Sequence, residues 1–171
     1  MIVYLALLAA TGAERIVELA LSTRNAEVAF ARGGVEYGRG HYPAMVTLHV
    51  GLLLACAVEV LVAGRPFLPW LGWPMFVLVL LSQALRYWCI ATLGQQWNTR
   101  IIVVPEAGRV TGGPYRFLPH PNYVAVAVEG LALPLVHTAW ITALAFTALN
   151  TVLLVGVRIP AEDRALKALR P

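Results

Sequence analysis

Residues 42–63 and 71–93 are each long enough to cross a bilayer, and each holds one fully charged side chain, Glu59 and Arg86 respectively. A hydrocarbon core about 30 Å thick takes roughly 20 consecutive apolar residues in helical form. Only a helix or a closed barrel satisfies its own backbone polar groups there. Segments 2–21, 121–136 and 139–157 follow the same pattern less cleanly. The first is apolar as far as Ala13 and then carries Glu14, Arg15 and Glu18. The last two are separated only by His137 and Thr138, close to Pro134, and read as a tight hairpin or one broken helix. The expected fold is all-α: an integral membrane helical bundle of about five transmembrane helices, forming a single domain over 1–171. The first segment lacks the basic start and the small-residue cleavage site of a signal peptide.

Composition agrees with a membrane protein. The mean hydropathy is +0.71 and 13% of the 171 residues are charged, against about 25% in ordinary soluble domains. The net charge of +4 sits in loops between apolar blocks, which excludes the polar basic surface of a nucleic-acid binder. Five spans put 22–41, 94–120 and 158–171 on one side. These hold Arg24, Arg32, Arg39, Arg100, Arg109, Arg116, Arg158, Arg164, Lys167 and Arg170, whereas the other side has only Arg65. This positive-inside bias predicts an integral membrane protein with its N-terminus outside and its C-terminus cytosolic. Chemistry that uses a soluble cofactor then belongs to the three arginine-rich segments. Cys56 and Cys89 lie in apolar runs and read as small hydrophobes. The scattered histidines and cysteines predict no metal site.

Polar residues within the spans are costly and draw attention. Glu14, Arg15 and Glu18 read as a self-neutralised cluster at the cytosolic end of the first span. Glu59 is expected to reach the outer interface, and Glu129 to pair with Arg86. His41 and His49 read as interfacial or packing histidines.

Two motifs carry candidate chemistry. In Gly113-Pro114-Tyr115-Arg116-Phe117-Leu118-Pro119-His120-Pro121-Asn122-Tyr123, prolines flank His120. Each proline fixes its own φ and disfavours helix at the residue before it, so His120 is expected in extended backbone at the start of a helix. Pro121 suits a first helical turn. Taken alone, this is equally a helix-start turn with interfacial aromatic groups. In Arg158-Ile159-Pro160-Ala161-Glu162-Asp163, Arg158 and Glu162 are four apart and share a helix face. Taken alone, that run reads as a solvated helix whose charges pair weakly.

The ordered set resembles the isoprenylcysteine carboxyl methyltransferase family. It comprises Leu93-Gly94-Gln95-Gln96-Trp97, then Gly113-Pro114-Tyr115, then His120-Pro121-Asn122-Tyr123, then Arg158 with Glu162-Asp163. The resemblance covers about 75–169. The N-terminal third, with Glu14–Glu18, Arg24-Asn25 and Gly33–Gly38, looks more like a bacterial branch. That branch includes alkylpyrone O-methyltransferases that act beside type III polyketide synthases.

The resemblance implies an S-adenosylmethionine-dependent membrane O-methyltransferase. Its acceptor would be a lipophilic carboxylate or acidic enol or phenol, alkylpyrone-like or prenylcysteine-like, arriving from the bilayer lipids. It implies a cofactor site of Val110, Gly113, Tyr115, His120, Pro121, Tyr123 and Glu162, with Arg158 and Glu162 catalytic. Arg158 would hold the acceptor's acidic oxygen, because an arginine stays charged and offers a planar donor fork. The family's arginine before the histidine is replaced by Pro119, so Arg116 or another cation is expected to take its place. The alternatives are an NADPH-dependent membrane reductase of sterol-reductase-like fold and a non-catalytic membrane scaffold.

Overall fold

A computed structural model describes residues 1–167. Helix α1 (Ile2–Ala31) is followed by strand β1 (Val35–Tyr37), helices α2 (Tyr42–Val62) and α3 (Pro69–Leu93), and strand β2 (Ile101–Val103). Helix α4 (Pro121–Leu135) and α5 (Trp140–Leu153) come next. A π-helical turn (Leu154–Arg158) then leads into α6 (Ile159–Lys167) without a break. The bundle is almost wholly helical, as the apolar pattern requires. Among the described residues, one small sheet pairs β1 with β2 antiparallel, Val35 opposite Val103 and Tyr37 opposite Ile101.

Among the described residues, three helices are long and apolar enough to cross a membrane: Arg39–Val62, Pro69–Gln96 and Trp140–Lys167. The two other expected spans differ for physical reasons. Helix α4 has 15 residues, only about 22 Å at 1.5 Å per residue. Helix α1 has 30 residues and is about 45 Å long. It continues well past residue 21, because Asn25 to Ala31 holds no glycine or proline and chain reversal waits for Gly33, whose φ is +77°. Residues 136–139 form a tight turn, so α4 and α5 are a hairpin rather than one broken helix.

The main core joins Tyr4 and Leu8 of α1, Leu52 and Cys56 of α2, Val79 of α3, Leu133 of α4 and Phe146 of α5. Leu54, Val58, Leu80, Leu81, Leu144 and Val152 face outward, as an apolar solvent demands. A second, smaller core packs Ile101 and Val103 of β2 against Ala161 and Ala165 of α6. It gathers three arginine-rich segments at one end of the bundle.

Charged groups inside the bundle are paired across helices. Arg86 Nη2 lies 2.5 Å from Glu129 Oε2, the contact expected from sequence, and Arg86 Nη1 lies 3.6 Å from Glu18. Arg15 donates to Glu18 at 2.8 Å and reaches Glu129 at 3.4 Å. The Glu14–Glu18 cluster is therefore neither self-contained nor at the end of its helix. It sits midway along α1 and forms a neutral tetrad with α3 and α4. Glu59 lies one turn from the end of α2, where protein groups hold its carboxylate. It accepts from the Thr142 N–H and hydroxyl, both at 2.8 Å, and pairs with Arg65 at 2.9 Å. It thereby satisfies the open N–H groups at the start of α5.

Candidate active site

Three pieces of chain build the site. Pro121 starts α4, and His120 just before it has φ −133° and ψ 64°, non-helical as its flanking prolines require. Tyr123 projects from the first turn of α4. The π-helical turn between α5 and α6 carries Arg158 at its end, one turn before Glu162. Arg158 and Glu162 converge on Tyr123: its hydroxyl donates to the Glu162 carboxylate and accepts from Arg158 Nε at 3.0 Å. The His120 ring stacks on the Tyr123 ring, centroids 5.5 Å apart. His120 Nε2 meets Asp163 Oδ1 at 3.1 Å, and Nδ1 lies 3.6 Å from Glu162 Oε1.

The loop after α3 supplies the third piece. The Thr99 carbonyl accepts from Arg158 Nη2 at 2.5 Å. Thr99 is itself pinned. Ser22 Oγ of α1 lies 2.8 Å from the Thr99 hydroxyl and accepts from its N–H at 3.0 Å, and Tyr42 Oη of α2 lies 3.0 Å from the same hydroxyl. Asn25 of α1 donates to the carbonyls of Gly94 and Trp97. Arg158 is only 4% exposed, so these bonds fix its plane. Two edges of the guanidinium are committed to protein. Among the described residues Nη1 meets no protein partner, which leaves it to grip an anionic oxygen.

The nearby Glu162 carboxylate raises the His120 pKa above its ordinary value, against the opposing effect of burial, and Asp163 adds to the rise. The imidazole therefore favours its cationic form. Burial holds the Tyr115 phenol above its usual range, so it remains neutral.

Val110, Tyr115, His120, Tyr123, Arg158 and Glu162 all line one cavity of about 720 Å³, within the 300–1,000 Å³ typical of small-molecule sites. Its other end runs between α1 and α2, past Gly12 and Ile16 on one side and Met45 and Val50 on the other. Gly113 and Pro121 are not in its wall. Pro121 is fully buried behind it. Gly113 has φ +53°, and a Cβ there would overlap the Thr92 side chain, so it shapes the loop rather than touching a ligand. Arg116 does not replace the missing arginine: it is exposed and lies over Phe117. The cations that line the cavity, as Pro119 does, include Arg100, Arg109 and Arg158. Sequence reasoning missed Thr99, Ser22 and Tyr42. Thr99 acts through its carbonyl, which every residue type possesses, so no sequence signal marks it.

The model of the isoprenylcysteine carboxyl methyltransferase family matches residues 75–168, over half of the sequence. The chain belongs to this family. Family membership carries membrane methyltransferase activity and agrees with the apolar spanning helices. The protein is 40% identical to the uncharacterized protein YpbQ of Bacillus subtilis over 155 residues, 90% of each chain. It is 26% identical to an uncharacterized protein of Haemophilus influenzae over 160 residues, 92% of this chain and 91% of that one. No solved structure matches it.

Proposed function

We propose that this family member is an S-adenosylmethionine-dependent O-methyltransferase whose acceptor is a lipophilic carboxylate or acidic enol. The observation that carries the reading is the convergence of Arg158, Tyr123, Glu162 and His120 on one cavity that also runs between α1 and the apolar helix α2. The residues suit a cofactor with cationic and carboxylate ends. Glu162 offers a carboxylate beside aromatic walls, and His120 Nδ1 is buried without a hydrogen-bond partner among the described residues. Val110, Tyr115, His120 and Tyr123 would hold the cofactor, with Glu162 toward its cationic end. When bound, the cofactor supplies a methyl group on a sulfonium.

The chain's own contribution is alignment and electrostatics. Arg158 holds the acceptor oxygen as its anion, so no strong general base is required near neutral pH. Tyr123 and the Thr99 carbonyl keep the guanidinium in one orientation. Holding reactants in attack geometry supplies much of the acceleration in a bimolecular transfer, and preorganised charge in a dry site supplies more. The acceptor's chain lies between α1 and α2, which explains a membrane setting for the chemistry. The arginine-rich end faces the cytosol of a bacterial inner membrane, where the cofactor is found. An alkylpyrone-type lipid, made by a type III polyketide synthase, and a prenylcysteine-like molecule both fit these requirements.

The test uses purified protein in detergent, S-adenosylmethionine labelled in its methyl group, and total bacterial membrane lipids. Calorimetry should detect cofactor binding, and label should pass to a lipid. Arg158→Ala and Glu162→Ala should each abolish transfer while the protein stays folded. Wild-type transfer in either variant removes its assigned role. Binding of NADPH in place of S-adenosylmethionine, or binding of neither, overturns the proposal.

A further inference from the structure

The cavity wall on α2 is a regular helical stripe: Tyr42, Met45, Val46, His49, Val50 and Leu53, spaced as one face of a helix requires. Opposite it, α1 presents Ala9, Gly12, Ala13, Ile16 and Leu19. Arg15 and Glu18 of α1 and Arg86 of α3 line the same cavity but are engaged with one another in the charged tetrad, and His49 is a polar ring in the otherwise apolar α2 stripe beyond Tyr42. The chemistry of that ring is fixed by its neighbours. Nδ1 lies 2.8 Å from the Met45 carbonyl, and a carbonyl can only accept. The ring proton is therefore on Nδ1, and Nε2 of the neutral ring is a bare acceptor. The ring is also held edge-on against Phe146, centroids 5.5 Å apart. Among the described residues nothing donates to Nε2. A bound molecule that covers this acceptor nitrogen without bringing a donor incurs its desolvation cost.

The depth of this nitrogen follows from the helix. Tyr42 reaches Thr99, whose carbonyl holds Arg158. His49 is seven residues further along α2, about 10 Å at 1.5 Å per residue, and nearly in line with Tyr42 on the same face.

We infer that His49 Nε2 is a second recognition point in the acceptor cleft, and that it receives a hydroxyl carried about 10 Å along the acceptor from the oxygen held by Arg158. The acceptor class narrows accordingly, from a plain long-chain acid to a hydroxylated amphiphile. The inference rests on the proposed acceptor site and names its selectivity. His49 acts in binding, not in transfer, since it lies too deep to touch the reacting oxygen.

The experiment compares two probes, octadecanoic acid and 10-hydroxyoctadecanoic acid, by calorimetry on full-length protein in detergent. The hydroxyl of the second lies at the required depth when its carboxylate is on Arg158. The hydroxylated acid should bind the wild type about five- to tenfold tighter, the worth of one hydrogen bond. His49→Leu should erase that preference, so that the two acids bind alike. His49→Gln, which restores a side-chain acceptor, should recover part of it. Equal binding of the two acids by the wild type, binding of neither, or a preference that survives in His49→Leu overturns the inference. S-adenosylmethionine binding measured on the same samples separates the two readings. A protein that binds the cofactor but treats the acids alike keeps the methyltransferase reading and loses this one.

Discussion

Tyr123→Phe removes one oxygen from the centre of the site and almost nothing else. The ring remains, and with it the stacking on His120. Two bonds go: the 3.0 Å bond from Arg158 Nε and the bond donated to Glu162. Each involves an ionised partner, and such bonds contribute about 1.5–3 kcal/mol. Arg158 and Glu162 then face each other across the vacated space and recover part of this by direct attraction. We therefore expect a net stability loss of about 2 kcal/mol, read as a lowered midpoint in denaturant-induced unfolding in detergent. The catalytic effect should be larger in proportion. Arg158 keeps only the Thr99 carbonyl as an anchor, and misplacing a positioning group by about 1 Å costs on the order of a hundredfold in rate. Cofactor affinity should change by less than about threefold, since the loss of an uncharged hydroxyl that already points at Arg158 and Glu162 leaves the aromatic wall intact. The assays are methyl transfer to the lipid extract and calorimetric titration of S-adenosylmethionine. Transfer at the wild-type rate would refute the claim that Tyr123 orients Arg158. Cofactor binding lost along with transfer would show instead that the hydroxyl belongs to the cofactor.

The tetrad and the histidine give two further tests. Arg86→Met leaves Glu18 and Glu129 with only Arg15 between them, and stranding a buried charge in this way costs about 3–5 kcal/mol. Arg86→Met combined with Glu129→Met leaves the balanced pair Arg15–Glu18 and should regain most of that loss. Additive costs in equilibrium unfolding would show that the two side chains do not interact. His120 has its pKa raised by Glu162 and Asp163, so its pairing stabilises the fold fully below the ordinary value of about 6.5. That stability is lost as pH rises through the raised folded value. Asp163 is half exposed and solvent screens it, so the amount is about 0.5–1 kcal/mol. The difference in stability between wild type and His120→Gln should shrink between pH 6 and pH 9. A constant difference would mean that folding leaves the imidazole's proton affinity unchanged.

The helices were legible because apolar periodicity and length govern them, and the bilayer leaves no other solution. Their ends were less so. Nothing in the charge of Arg24 or Glu27 stops a helix, and α1 runs through both. The Arg86–Glu129 contact followed from the cost of lone charges in hydrocarbon, and that argument gives pairs but not partners in number. Arg15 and Glu18 joined the same cluster through tertiary packing that helical spacing does not encode. In the site, side chains with distinctive chemistry, such as His120, Tyr123, Arg158 and Glu162, were found by type and order. Pro121 and Gly113 were found too, but they carry backbone geometry and stand behind the wall. Strand β1 was not anticipated, because Val35-Glu36-Tyr37 is too short to show alternation before its partner is known.

The knot of Ser22, Thr99 and Arg158 ties the beginning of the polypeptide to its far end. A ribosome adds about 5–20 residues per second, so roughly 7–30 s separate the synthesis of Ser22 from that of Glu162. Throughout that interval α1 carries half of a pocket with nothing to close it. Competence therefore arrives all at once, when the last helix docks, and a nascent or C-terminally clipped chain consumes no methyl donor.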